Sequence, residues 1–164
     1  MPSAEEASGG PSLWAVLDSL GLRLPPVSAP KGRYVPAVVT GDHLCVAGQV
    51  PLSEGELLMV GRVGAEVSVA QAQELSRWCA LTALAAAHAA VGIDRVTRVV
   101  KVTGYVACAP GFTTPSRALD GASDLYNAVF RARGGHARSD VGVAVLPLNS
   151  PVEVETLMEI TRQV

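Results

Sequence analysis

Apolar and polar residues recur along this chain with two different periods, and the places where the period changes mark out its elements. Leu13, Val16, Leu17 and Leu20 stand at helical spacing and stop at Gly21, which predicts a short amphipathic helix behind Pro11-Ser12. Pro25, Pro26 and Pro30 forbid regular structure until Lys31-Gly32-Arg33. Residues 34–40 and 43–50 are short β-branched runs separated by Gly41-Asp42, a pattern that predicts a hairpin with a tight turn. A polar connection, Ser53-Glu54-Gly55-Glu56, leads through Leu57-Leu58-Met59-Val60 to Gly64.

The clearest helix spans residues 68–91. Ser68 can cap it, Gln71 completes a capping-box spacing, and Gly92 supplies a stop. Its Ala-rich second half predicts close approach to a sheet or another helix. Residues 96–107 form a long β-rich run ended by Cys108-Ala109-Pro110-Gly111. A second long helix is predicted over 115–132, stopped by Gly134-Gly135, and two strands over 138–146 and 152–160, bent between by Pro147-Leu148-Asn149-Ser150-Pro151. The order after the N-terminal helix is β-β-α-β-α-β-β. That makes an α+β fold with two helices on one face of a single sheet. The other face is left wanting a partner, and oligomerisation supplies one.

Composition narrows the class. With 164 residues, 49% hydrophobic and 17% charged, the chain suits one domain over residues 11–164 behind a flexible tail at 1–10. The net charge of −2 and the lack of a basic run argue against a nucleic-acid partner. The most apolar stretch, 79–91, carries Thr82 and His88 and reads as a buried helix, so no membrane is implied. Met1-Pro2-Ser3-Ala4-Glu5-Glu6 has neither the basic start nor the apolar core of a signal peptide, and a cytoplasmic location is expected. Cys45, Cys79 and Cys108 are far apart and odd in number, with no Cys-x-x-Cys. Reduced, partly buried thiols are expected, with no metal site.

Arg138 opens a strand directly after a Gly-Gly loop. Its guanidinium can hold a small-molecule carboxylate through two parallel hydrogen bonds, or it can pair with Asp140 on the same strand face. Glu153 and Glu155 alternate with Val152 and Val154, so both acids share a face, either a solvated one or one that does chemistry. If the last two strands formed a simple hairpin near Asn149, Glu153 would pair near Val145, about 23 Å from Arg138. The two can then share a site only if the last strand crosses elsewhere in the sheet or a neighbouring subunit contributes. Tyr34 can wall a pocket or merely pack, and Gly48-Gln49 marks either a bulge or a close backbone approach by a ligand. His43 and His136 are acid/bases by type without an obvious partner. No Ser/His/Asp set, P-loop or dinucleotide fingerprint is present.

Several segments stand in a telling order: Tyr34-Val35-Pro36-Ala37-Val38, Val46-Ala47-Gly48-Gln49-Val50-Pro51, Ala137-Arg138-Ser139, Leu146-Pro147 and Val152-Glu153-Val154-Glu155. Together they resemble the reactive-intermediate deaminase (Rid/YjgF) superfamily, over roughly residues 20–160. The N-terminal helix and the phrase His136-Ala137-Arg138-Ser139 are similar to its longer bacterial branch. The resemblance implies a chorismate-mutase-like fold assembled as a homotrimer, with pockets in the clefts between subunits. It implies hydrolysis of 2-enamine/2-imine acids to 2-keto acids and ammonia, without a metal or organic cofactor. In that scheme Arg138 clamps the substrate carboxylate, Glu153 positions or activates water, and Tyr34 and the Gly48 backbone line the pocket. Three residues depart from the pattern. Ala47 replaces a common Ser, and Ser123 replaces an Asn of the second long helix. Asp140 can pair with Arg138, act as an acid/base, or select a ligand with an extra cationic group. The alternative is a non-catalytic module that binds keto or amino acids. A ribonuclease, a name attached to parts of the family, is disfavoured by the net charge.

Overall fold

A computed structural model describes residues 10–162, so the expected tail, Gly10 apart, lies outside the described residues. Helix α1 (Leu13–Ser19) starts where Ser12 accepts a hydrogen bond from the Ala15 N–H, and it buries Leu13, Val16 and Leu17. The hairpin forms as β1 (Ala37–Thr40) and β2 (His43–Gln49) around Gly41-Asp42. Helix α2 (Val69–Val91) carries the full capping box, with Ser68 and Gln71 each bonding the other's backbone N–H, and ends at Gly92 with φ of 83°. Strand β5 is Val96–Ala107, helix α3 is Pro115–Phe130, and the last two strands are β6 (Ala137–Val143) and β7 (Val152–Ile160).

Some boundaries differ from the sequence pattern. The first strand begins at Ala37, so Tyr34 precedes it. Helix α3 gives way at Arg131, where φ is 53°, to one 3-10 turn. Strand β6 ends at Val143, after which residues 147–149 form a turn with Leu148 and Asn149 both at positive φ. A small extra hairpin, β3 (Leu52–Ser53) and β4 (Glu56–Leu57), turns at Glu54-Gly55, both at positive φ as a type I′ turn requires. Two-residue strands are too short for alternation to reveal. The Trp78 indole N–H pins this hairpin to α2 by donating to the Leu52 carbonyl at 2.7 Å.

The five long strands form one sheet in the order β1-β2-β7-β5-β6, antiparallel except for the parallel pair β5-β6. Helices α2 and α3 cover one face. On β7, Val152, Val154, Thr156, Met158 and Ile160 point into that core, while Glu153, Glu155, Leu157 and Glu159 point to the other face. The Ala-rich half of α2 is buried from Cys79 to Ala87, where small side chains let the helix lie close to its neighbours, and the stretch read as buried to residue 91 emerges at His88–Ala90. Gly121 of α3 backs onto α2 so closely that a Cβ there would sit on the Gln73 carbonyl oxygen. Beside it the Ser76 hydroxyl lies 2.8 Å from the Ala118 carbonyl and accepts from the Ala122 N–H, joining the two helices across their crossing.

Among the described residues no helix covers the opposite face. Val38, Cys45, Lys101, Thr103, Glu155 and Leu157 line a concavity there of about 520 Å³. All three cysteines are free: Cys79 is buried, Cys108 half-buried and Cys45 exposed. Among the described residues no helix is long and apolar enough to cross a membrane.

Candidate functional site

Arg138 is the second residue of β6, beside Val102 of β5, and therefore points to the helix-covered face. Helix α3 meets it with a polar stripe, Ser116, Asp120 and Ser123, at spacings of four and three residues. Nη1 donates to Asp120 Oδ1 at 3.1 Å and to Ser123 Oγ at 3.0 Å, and Nη2 to the Ser116 carbonyl at 3.3 Å. Asp140, two residues along and on the same face, brings Oδ1 to 2.8 Å from Nε. The anticipated Arg138–Asp140 pair is thus present, yet Arg138 is only 19% exposed and is no surface residue. The pairing is one of charge, because Asp140 Oδ1 is shielded from solvent and accepts no aligned hydrogen bond. It is the single such buried side-chain atom among the described residues.

His136, expected to lack a partner, has two. Nδ1 lies 2.7 Å from the Gly134 carbonyl, which can only accept, so Nδ1 carries the proton. In the neutral imidazole Nε2, 2.9 Å from Ser123 Oγ, accepts the serine proton, which leaves that oxygen free to accept from Arg138. The chain Arg138–Ser123–His136–Gly134 is therefore directional. Tyr126 packs edge-on against the imidazole, with ring centres 5.9 Å apart.

The second group lies towards the other side of the sheet. A register shift between Val46 and Gln49 of β2 lifts Gly48 out of the ladder, and the Glu153 side chain fills the space a Cβ would need there. Burial, with Glu155 beside it, pushes the Glu153 carboxyl above the usual value of 4.5. Gly48 and Tyr34 share a small cleft of about 50 Å³ with Lys31, Pro36, Gln49 and Thr82. Tyr34 is 54% exposed, and with the half-buried Ala47 it also edges the concavity of the open face.

A raised Glu153 pKa has a consequence for stability. The folded chain holds this proton more tightly than the unfolded chain. The group's favourable contribution is therefore full below pH 4.5 and is lost as pH rises through the folded value. Glu153→Gln is expected to raise the melting temperature at neutral pH and to leave it unchanged in acid. Melting curves on both sides of that window check this, and a variant that melts earlier at neutral pH contradicts it.

Within one chain the two groups do not meet. The last two strands are not a hairpin, because β5 lies between them; Glu153 stands beside Tyr105, which stands beside Val141. Arg138 and Glu153 are thus about 10 Å apart along the strands and another 10 Å across two strand spacings. They also point to opposite faces. The site residues read from the sequence divide into Ser123, Arg138 and Asp140 on one side, and Tyr34, Ala47, Gly48 and Glu153 on the other. Asp120 and Lys31 join them without having been anticipated, and His136, read from the sequence as an acid/base by type, joins them through Ser123. The helical spacing of Ser116, Asp120 and Ser123 was the available signal for Asp120.

Known proteins share this arrangement of chain and fold. Residues 15–160 match the family model described as "YjgF/chorismate_mutase-like, putative endoribonuclease". Protein TCP17 of Trypanosoma cruzi is 43% identical over 148 residues, covering 89% of this chain and 92% of its own. The crystal structure of Atu1372 from Agrobacterium tumefaciens, of unknown function, is 38% identical, with a TM-score of 0.83 over 91% of this chain and 92% of that one. A Shewanella oneidensis structure named as an endoribonuclease of the same provisional kind is 32% identical, with a TM-score of 0.87 over 92% of this chain and 100% of that one. With the family match running from α1 to the end of β7, the chain belongs to the YjgF/chorismate mutase-like family.

Proposed function

We propose that this chain hydrolyses 2-enamine/2-imine acids to 2-keto acids and ammonia, in clefts between the subunits of a homotrimer. The observation that carries the reading is the division of the site into two half-sites on one sheet. Arg138, Ser123 and Asp140 belong to the β6 edge. Tyr34, Gly48 and Glu153 gather around the end of β2, towards the opposite edge. A head-to-tail contact between copies joins such halves, and a rotation that closes after three gives three equal clefts. The uncovered sheet face supplies the surface to be buried.

The chemistry follows from the groups. Arg138 holds the substrate carboxylate and so fixes the neighbouring C=N carbon. Glu153 takes a proton from water as its oxygen attacks that carbon, and returns a proton to nitrogen as the C–N bond breaks. One imine and one water become one keto acid and one ammonia. A carboxyl raised by burial is better matched to this two-way transfer at neutral pH than an ordinary exposed one.

An amino-acid oxidase generating imine in situ provides the assay, read as ammonia or keto-acid release above the buffer rate. Arg138→Ala and Glu153→Gln chains are each expected to be inactive alone. Co-assembled, they regain part of the activity, because some clefts then combine an intact Arg138 with an intact Glu153 from the next copy. Wild type matching buffer across several imines overturns the reaction. Active wild type with no recovery on mixing, or a mass other than three chains in sedimentation, overturns the shared cleft. Stabilisation by keto or amino acids without turnover marks a metabolite-binding module instead.

A further inference from the structure

We propose that Asp120 and Asp140, closing on Arg138 from two sides, make the proposed inter-subunit cleft select ligands that carry a protonated nitrogen and reject monoanionic acids. The inference rests on the reading that Arg138 faces the ligand, and it names the charge class that ligand must have.

The guanidinium offers five N–H donors. Three are spent inside the chain, on Asp120, Ser123 and the Ser116 carbonyl, and Nε lies against Asp140. One cation is thus met by two carboxylates, so the cluster is net negative before any ligand arrives. A simple carboxylate finds a guanidinium whose charge is already compensated and must also approach Asp140. Such an acid gains little from the contact.

Asp140 carries the positive half of the argument. Its Oδ1 is out of solvent against the Arg138 Nε, and the rest of the side chain, 23% exposed, is the part a ligand can reach. A ligand N–H there is held by a charged acceptor. A ligand with a carboxylate for the remaining Arg138 donor and a protonated nitrogen for Asp140 satisfies both ends together. An amino or iminium acid has that pattern, and an acid with a second ammonium has it more strongly. The keto acid left after nitrogen departs is a monoanion that no longer matches, which favours its release.

Three four-carbon acids that differ mainly in nitrogen test this: 2,4-diaminobutyrate, 2-aminobutyrate and 2-oxobutyrate, which at neutral pH are cationic, zwitterionic and anionic. Titration calorimetry on wild type should rank them in that order, with about tenfold or more between first and last. Asp140→Asn should tighten 2-oxobutyrate and weaken 2,4-diaminobutyrate, so that the ratio between them falls about tenfold. Asp120→Asn, on the exposed side of α3, should move the ratio the same way by less. It keeps the test open should Asp140→Asn not fold. The proposal is overturned if 2-oxobutyrate binds wild type as tightly as 2,4-diaminobutyrate, if 2,4-diaminobutyrate does not bind, or if a folded Asp140→Asn leaves the ratio unchanged. The imine assay run alongside separates the two readings: turnover without the charge ranking overturns only this inference, and the ranking without turnover overturns only the deaminase.

Discussion

Arg138→Ala is expected to lower kcat/KM for imine hydrolysis by about 100-fold or more, because losing a charge-assisted, desolvated partner costs roughly 3 kcal/mol. The loss should fall on kcat as well as on KM, since the clamp fixes the reacting carbon as well as holding the acid. Arg138→Lys should not rescue it. The groups around Arg138 lie on several sides of a planar fork: Asp120 and Ser123 at Nη1, the Ser116 carbonyl at Nη2, Asp140 at Nε. A lysine ammonium reaches one such place at a time. Steady-state kinetics on both variants, with melting curves to show they are folded, decide the matter. Activity within threefold of wild type in Arg138→Ala would remove Arg138 from the site.

The largest effect on the fold itself is expected from a single methyl group. Gly121→Ala would place a Cβ on the Gln73 carbonyl oxygen and within 2.9 Å of the Ser76 hydroxyl. Neither can step aside easily. The carbonyl belongs to the backbone of α2, and the hydroxyl is held between Ala118 and Ala122 of α3. The helices must separate, and overpacking of this kind costs about 3 kcal/mol or more. That corresponds to a fall of roughly 6–12 °C in melting temperature for a chain of this size. Gly104→Ala, which meets the buried Leu119 side chain rather than backbone, should be milder. Thermal and urea melts of the two variants test the contrast, and equal losses would show that the crossing is looser than its geometry implies.

The difference between what was legible and what was not has a physical basis. Ser68, Gln71 and Gly92 mark the ends of α2 because capping is a local transaction among residues three or four apart. Strand β5 and the alternating face of β7 are equally local. Strand neighbours are not. Val152–Ile160 follows β6 in the chain and pairs with β2 and β5 instead, and nothing within either strand records that choice. The surroundings of Arg138 were hidden for a related reason. Ser116, Asp120 and Ser123 look like the wet side of an amphipathic helix until a strand end is placed against them. Asp140 was legible because it shares a strand face with Arg138, and the alternation of a β-strand places residues two apart on one side. His136 needed the loop as well as the helix: its two partners are Gly134, two residues away, and Ser123, across the packing.

The position of β7 also bears on how the protein comes into being. Of the five strands of the sheet, the last to be synthesised is the middle one, flanked by β2 on one side and β5 on the other. Until it emerges, the β1-β2 hairpin and the β5-β6 pair have no shared hydrogen bonds, and the apolar undersides of α2 and α3 have only part of a sheet to cover. The nascent chain therefore waits in two pieces with its core exposed. Losing a few residues from this strand would divide the sheet in two, whereas the same loss from an edge strand would only trim it.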